Sequence, residues 1–254
     1  MVRFKFSMFL VFITFIAGLE MYSFDNSPEY AKKLYGYFID GNIDQWNGII
    51  NQMEEDYAAT KDPNLLKQII FAQYGLIGYQ LGVDDDKSAE KLLNKMEKNL
   101  ESFLDDNTSA PAWAYAMKGA SIGYRIGLNN WRAPFIGGDA TKNMNMAIQT
   151  DSLEAMGWVE LGNSYLYRPA LFGGSSEKAL NYYSKAVSLF EQDSSLMRYN
   201  WIYLNLHVLI AECYINLKQE GQALKTYEKV IETEPGFSWV VNELLPDLKK
   251  SMLN

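Results

Sequence analysis

Two short segments of this sequence have the same order of residue types: an aromatic residue, an arginine, a proline, large apolar side chains, a Gly-Gly pair and then a lysine. They begin thirty-six residues apart. The first contains Trp131, Arg132, Phe135, Gly137 and Gly138, and the second contains Tyr167, Arg168, Leu171, Phe172, Gly173 and Gly174. An arginine beside the free N–H groups of a helix N-terminus suits a carboxylate or similar anion. These segments are therefore the first candidates for a binding site.

Two interpretations of these segments are open. In one, Arg132 and Arg168 hold an anion while the apolar side chains line a cleft. In the other, the apolar side chains pack inward as a plug and the arginines bond to loop carbonyls. Since apolar residues of ordered loops usually pack inward, the plug is favoured. In both, the glycines allow positive φ, and Asp139 or Ser175 caps the helix that follows.

The residues that carry most enzyme chemistry are scarce. The only histidine, His207, lies in a helical pattern and has no second histidine for a metal site or an evident Ser-His-Asp triad. No phosphate-binding loop, dinucleotide-binding fingerprint or cysteine-pair metal motif occurs. The run Asp84-Asp85-Asp86 lacks the spacing of a calcium loop and directly precedes a predicted helix, whose dipole favours carboxylates there. We therefore expect no catalytic activity, cofactor or metal.

The composition predicts a folded, acidic protein. Of its 254 residues, 48% are hydrophobic, which is enough for one large domain or an array of repeats. The 31 acidic and 23 basic residues give a formal charge of −8. The summed field therefore disfavours nucleic acid and anionic lipid as partners.

The N-terminus has the pattern of a secretory signal peptide. Residues 1–5 form a short basic region, and residues 8–18 form an uncharged apolar run that is too short to cross a bilayer as a helix. We expect residues 1–19 to be a signal peptide, with an uncleaved anchor as the alternative. The mature protein is then periplasmic or secreted, without stable membrane insertion. No cysteine near this site can carry a lipid, and the only cysteine, Cys213, is expected to be a buried thiol.

Helical periodicity extends over nearly all of residues 27–254, which we expect to form one domain. No sheet is predicted, because alternating β-branched runs flanked by hairpin turns are absent. The expected helices span 28–39, 43–59, 63–81, 87–105, 110–127, 139–149, 152–167, 175–191, 198–217, 220–233 and 237–252. They form five consecutive hairpins and a last helix that would cover the end of a solenoid.

The hairpin from Leu204 to Pro235 has small and aromatic residues at a characteristic spacing. They are Ala211, Tyr214, Ala223, Tyr227, Val230 and Pro235. This pattern resembles the tetratricopeptide repeat (TPR), in which small residues let two helices approach and aromatic residues fill the space against the next hairpin. The preceding hairpin resembles the repeat at Trp158, Leu161, Gly162 and Tyr165. The resemblance implies an all-α, right-handed α-solenoid of about five TPR-like hairpins.

The TPR resemblance also places a set of residues from three hairpins on the inner face of the solenoid. They are Trp113, Tyr124, Asn163, Tyr167, Asn205, Glu212 and Asn216. This face is aromatic and polar. TPR modules that clamp a C-terminal carboxylate use lysine where Val159 and Val208 stand here, which argues against such a clamp.

The segment from Pro169 to Ala179 is also similar to TPR proteins of the Gram-negative envelope, including the T component of TRAP-type transporters. The resemblance implies a non-catalytic periplasmic scaffold that binds an envelope protein or peptide. The alternative is a transport component that binds a small apolar carboxylate or a lipid. A ligand-binding protein should have a closed apolar pocket bounded by Trp131, Tyr167 and Phe172, whereas a scaffold should have an open groove.

Overall fold

A computed structural model describes residues 28–105 and 109–253, and the predicted signal peptide lies outside the described residues. This part of the chain has eleven α-helices and no β-strand. The helices are α1 (Pro28–Ile39), α2 (Trp46–Thr60), α3 (Pro63–Gly82), α4 (Asp86–Asp105), α5 (Ala112–Leu128), α6 (Ala133–Thr150), α7 (Met156–Tyr167), α8 (Ser176–Phe190), α9 (Trp201–Asn216), α10 (Glu220–Thr233) and α11 (Leu245–Ser251). A π-helical segment, Val240–Leu244, precedes α11. Across the described ranges, no helix combines the length and apolar character needed to span a bilayer.

Local capping explains where several helices begin. The Asp62 side chain accepts a hydrogen bond from the backbone N–H of Asn64, and Pro63 occupies the first turn of α3, where its missing N–H is tolerated. The Asn200 side chain caps α9 in the same way. The Asp85 carboxylate accepts a bond of 3.2 Å from the N–H of Ser88, at the start of α4. The acidic run therefore begins a helix, as its position in the sequence predicts.

The helices pack as successive hairpins, α1 with α2 through α9 with α10, and each hairpin packs against the next. In the α9–α10 hairpin, the side chains of Ala211, Ala223, Tyr227 and Val230 are almost fully buried. Small side chains at these positions let the two helix axes approach, and Tyr227 fills the space between them. The predicted all-α helical-repeat fold is confirmed.

The first Gly-Gly segment is helical, which corrects the prediction of a loop. The sequence pattern predicts a helix from residue 139, but α6 begins at Ala133, so Gly137 and Gly138 lie inside it. Neither glycine has a positive φ, and Asp139 does not cap the helix. Pro134 occupies the first turn of α6, which suits its fixed φ.

The second Gly-Gly segment forms the predicted turn. Its proline comes directly after Arg168, which takes the extended conformation that proline imposes on the preceding residue, so α7 ends at Tyr167. A short 3₁₀ helix, Ala170–Phe172, follows, and Gly173 then has φ +89°. A Cβ on Gly174 would lie 1.7 Å from the Arg168 carbonyl oxygen, so only glycine fits there. The Ser175 side chain caps α8, as expected.

The first and last hairpins contact each other, which the repeat pattern does not predict. The Phe38 ring lies 6.0 Å from the Trp201 ring and 4.9 Å from the Phe237 ring, measured between centroids. The Tyr35 hydroxyl donates a 2.8 Å hydrogen bond to Glu234. The segment before α11 packs here too, so it covers α10 and also touches the start of the repeat array.

The centre of this end-to-end contact is a pair of tryptophans. The rings of Trp46 on α2 and Trp201 on α9 meet edge to face, with 5.2 Å between centroids. They can do so because α3 presents Gly75, where a Cβ would lie 2.5 Å from the Trp46 ring and 2.7 Å from the Trp201 ring. The closed arrangement therefore depends on a missing side chain.

Candidate functional site

The inner helices α3, α5 and α7 meet in a polar network, with Asn163 at its centre. The Asn163 side chain donates hydrogen bonds of 3.1 Å to the Tyr74 hydroxyl and to the Glu160 carboxylate. It accepts one of 2.7 Å from the Tyr183 hydroxyl. The Tyr124 hydroxyl completes the network by donating to the Tyr74 carbonyl oxygen at 2.9 Å. Fully bonded groups of this kind fix the positions of neighbouring helices.

Glu160 is the buried acid of this network, with 3% of its surface exposed. Its carboxylate accepts a 2.6 Å hydrogen bond from the Tyr74 hydroxyl. Burial raises the pKa of Glu160 to about 7, although the hydrogen bonds from Tyr74 and Asn163 oppose that rise. The group therefore titrates near neutral pH.

Beyond the network, Tyr167 on α7 and Glu212 on α9 lie close enough to interact electrostatically, and Asn216 follows one helical turn after Glu212. We term these three residues the inner-face site. Tyr167 is 65% exposed, and the partial burial of its hydroxyl, together with the charge of Glu212, raises the pKa of that hydroxyl. Glu212 is half-buried, and burial raises its pKa. Its carboxylate makes no hydrogen bond or ion pair with another described residue. A half-buried carboxylate without a partner is a place where an incoming cation gains binding energy.

The predicted inner-face residues thus divide into three groups. Trp113 is 2% exposed and packs against Phe103, so it is core and not accessible surface. Tyr124 and Asn163 belong to the buried network, and Asn205 is half-buried on α9. Tyr167, Glu212 and Asn216, the inner-face site, remain at least partly accessible.

Sequence reasoning missed three members of the network: Tyr74, Glu160 and Tyr183. A signal for Glu160 exists, because it lies between Val159 and Leu161 and three residues before Asn163. Residues at this spacing share one helix face, so a carboxylate and an amide interrupting an apolar helix can be read as a buried pair. Tyr74 gives no such signal, because the partners of its hydroxyl are more than eighty residues away.

The apolar side chains of the two Gly-Gly segments face solvent, so the inward plug is wrong for them. Trp131 is 63%, Phe135 75%, Leu171 89% and Phe172 65% exposed. With Tyr167 also 65% exposed, Trp131, Tyr167 and Phe172 do not enclose a pocket. The closed apolar pocket expected of a ligand-binding protein is therefore not formed by these residues.

The two arginines have different surroundings. Arg168 donates hydrogen bonds to the Ser164 hydroxyl at 2.6 Å and the Thr141 hydroxyl at 3.3 Å, so it joins α7 to α6 instead of bonding to loop carbonyls. Arg132 is exposed, lies 5.9 Å from the centre of the Trp131 ring and makes no ion pair with a described residue. Of the two guanidinium groups, only that of Arg132 remains available to an incoming group.

The remaining candidates for chemistry have structural positions. His207 is 7% exposed; burial lowers its pKa, and Nδ1 lies 3.0 Å from the Tyr203 carbonyl oxygen. Cys213 is fully buried, as predicted, and burial raises the pKa of its thiol to about 12, which makes it unreactive. Among the described residues, no group of three acidic, histidine or cysteine side chains could hold a metal ion.

Comparison with known proteins supports the repeat resemblance. The tetratricopeptide-repeat family profile matches residues 204–237, which is the hairpin whose spacing carries the resemblance. No curated protein is similar enough in sequence to count as a relative.

Two solved structures share the fold. The HusA haemophore from Porphyromonas gingivalis is 17% identical with a TM-score of 0.58, over 75% of this chain and 96% of that protein. TTC0263, a TPR protein of Thermus thermophilus, is 17% identical with a TM-score of 0.52, over 88% of this chain and 96% of that protein. These comparisons support a TPR-type helical-repeat protein, and none of them supports the specific likeness to a TRAP transporter component.

Proposed function

We propose that this protein, which has a TPR-type fold, is a non-catalytic scaffold of the cell envelope that binds a partner protein at the inner-face site. TPR folds serve protein–protein interaction in general, because stacked hairpins present side chains of successive helices on one continuous surface. The envelope location rests on the signal-like N-terminus alone. The proposal concerns the binding site formed by Tyr167, Glu212 and Asn216.

The observation that carries the proposal is the carboxylate of Glu212, which has no partner among the residues that the structure describes. A half-buried charge without a partner is unfavourable, and a lysine or arginine of a partner would relieve it through a charge-assisted hydrogen bond. Tyr167 offers a ring face beside it for the apolar stem of such a side chain. The chain's formal charge of −8 also attracts a basic partner. The expected ligand is a basic protein segment.

The alternative, a small apolar carboxylate or lipid, has less support from the geometry. Its expected pocket would need Trp131, Tyr167 and Phe172 to enclose the ligand, but all three are more than 60% exposed. Its expected anion site would need Arg168, whose guanidinium bonds to Ser164 and Thr141. HusA is a haemophore by its name, but at 17% identity its likeness concerns the fold.

The test is to capture the partner from the native envelope with the tagged full chain and to measure its affinity for defined variants. Glu212→Gln removes the charge while keeping nearly the same shape, so we expect the dissociation constant to rise by roughly ten- to a hundredfold. Glu101→Gln, an exposed acid on α4, is the matched control and should leave the affinity unchanged. Equal affinity of Glu212→Gln and the unmodified chain would show that the inner-face site does not bind the partner.

A further inference from the structure

The exposed apolar side chains of the two Gly-Gly segments lie on one edge of the repeat array. The turns at residues 83–85, 129–132 and 168–175 each join the first helix of a hairpin to its second helix. Because the first helices of stacked hairpins run in the same direction, these turns share an edge. The first two turns border a common cleft lined by Asp86, Lys87, Glu90 and Arg132, among others, and the third turn is joined to α6 by the hydrogen bond from Arg168 to Thr141.

Four side chains protrude from this edge and form what we term the apolar patch: Trp131, Phe135, Leu171 and Phe172. Their exposed fractions range from 63% to 89%. A side chain in the wall of a groove is covered on one side by its neighbours. Side chains with exposed fractions this large therefore project from the surface and do not line a peptide-binding groove. Projecting Trp, Phe and Leu side chains are the types that enter the boundary between the headgroups and the acyl chains of a bilayer.

Cationic side chains flank the apolar patch. Arg132, Lys142 and Lys178 are exposed, and none of them makes an ion pair with a described residue. Within residues 131–142 and 167–178 the cations outnumber Asp139 and Glu177, but the neighbouring turn on the same edge carries the acidic run 84–86 and lies beside Glu90. At headgroup depth, lysine and arginine keep their charges near lipid phosphates while their aliphatic stems cover apolar surface. The three cations can therefore face lipid phosphates, whereas the acidic residues of the neighbouring turn disfavour an anionic membrane.

We infer that the apolar patch docks the protein on the surface of a lipid bilayer, with its four side chains inserted to interfacial depth. The formal charge of −8 opposes binding to strongly anionic membranes, so apolar insertion is the dominant contribution and zwitterionic lipid suffices. This docking goes beyond the proposed partner binding and uses different residues. A protein docked by the turn edge can hold its partner close to the membrane.

The experiment uses the full chain and phosphatidylcholine vesicles whose acyl chains carry bromine, which quenches tryptophan fluorescence on contact. Residues 8–18 are apolar and can bind lipid themselves, so the readout has to report on Trp131 alone. It is the difference in quenching between each chain and the same chain carrying Trp131→Phe. We expect this quenching to be present in the unmodified chain. In the triple variant Phe135→Ser, Leu171→Ser and Phe172→Ser, the lipid concentration for half of this quenching should rise roughly tenfold or more.

Leu153→Ser is the matched control, since Leu153 is also 63% exposed but lies in the connection between α6 and α7, at the opposite edge of the hairpins. It should leave the quenching of Trp131 unchanged. The inference would be overturned if the quenching were the same with and without Trp131. It would also be overturned if the triple variant needed the same lipid concentration for half of the Trp131 quenching as the unmodified chain. If the triple variant loses only its captured protein partner, the patch is a protein interface and membrane docking is again excluded. Glu212→Gln should not alter the quenching, so failure of one proposal does not imply failure of the other.

Discussion

Glu160 gives the inner network a dependence on pH. Because its pKa rises from 4.5 to about 7 on folding, the folded state binds more protons than the unfolded state between these values. The free energy of unfolding should therefore fall as the pH rises from about 5 to 8. Urea denaturation should show this fall reduced in Glu160→Gln by roughly 2 to 3 kcal/mol relative to the unmodified chain.

The comparison with Glu160→Gln isolates this group, because Glu154 has its pKa raised to about 7 as well and contributes the same slope to both proteins. Exposed Glu101 again supplies a control, whose replacement by Gln should give a curve parallel to that of the unmodified chain. Parallel curves for Glu160→Gln would mean that the buried carboxyl does not titrate in this range.

At the scale of residues, the sequence predicts which residues lie on the inner face of the repeat array better than it predicts which of them are accessible. The TPR register brings Tyr167, Glu212 and Asn216 together, and these three remain accessible. The same register also places Trp113 on this face, but Trp113 is buried. Residues of α3 and α4 pack against it, and the sequence of its own helix does not reveal this packing. Distant partners therefore decide which inner-face residues can bind anything.

At the scale of elements, the two Gly-Gly segments show how one residue changes a structure. Their sequences align without a gap, yet the proline stands directly after Arg168 in the second segment and one position later, at Pro134, in the first. The earlier proline forces its neighbour into an extended conformation and ends α7, whereas Pro134 fits the first turn of α6. The number of helices is predictable from periodicity. Whether a Gly-Gly segment forms a turn or a helix depends instead on the exact position of its proline, which the similar composition of the two segments conceals.

The same substitution should therefore have opposite effects in the two segments. Gly138→Ala adds a methyl group to an open helical position, with no atom within 4 Å, and should raise the free energy of unfolding by about 0.5 to 1 kcal/mol. Gly174→Ala meets the Arg168 carbonyl oxygen and should lower it by roughly 1 to 3 kcal/mol. Chemical denaturation of both variants measures the contrast. Effects of the same sign would contradict the assigned backbone conformations.

At the scale of the whole molecule, contact between the first and last hairpins changes how the repeat array should unfold. In an open array each repeat contacts only its neighbours, so its ends open independently. Here Phe38, Trp46 and Trp201 join the two ends through ring contacts. This closure is not predictable from repeat spacing, because it depends on aromatic residues more than 150 positions apart in the sequence.

Gly75→Ala tests this coupling, because its methyl group would push the Trp46 and Trp201 rings apart. We expect the free energy of unfolding to fall by roughly 1 to 3 kcal/mol, since overpacking a tight core displaces side chains or backbone. Hydrogen exchange should accelerate in α2 and α9 together, although these helices belong to opposite ends of the chain. Gly123→Ala, in the interior of α5 with no atom within 4 Å, is the matched control and should be neutral or slightly stabilising. If only α3 exchanged faster, the two ends would unfold independently, as they do in an open array.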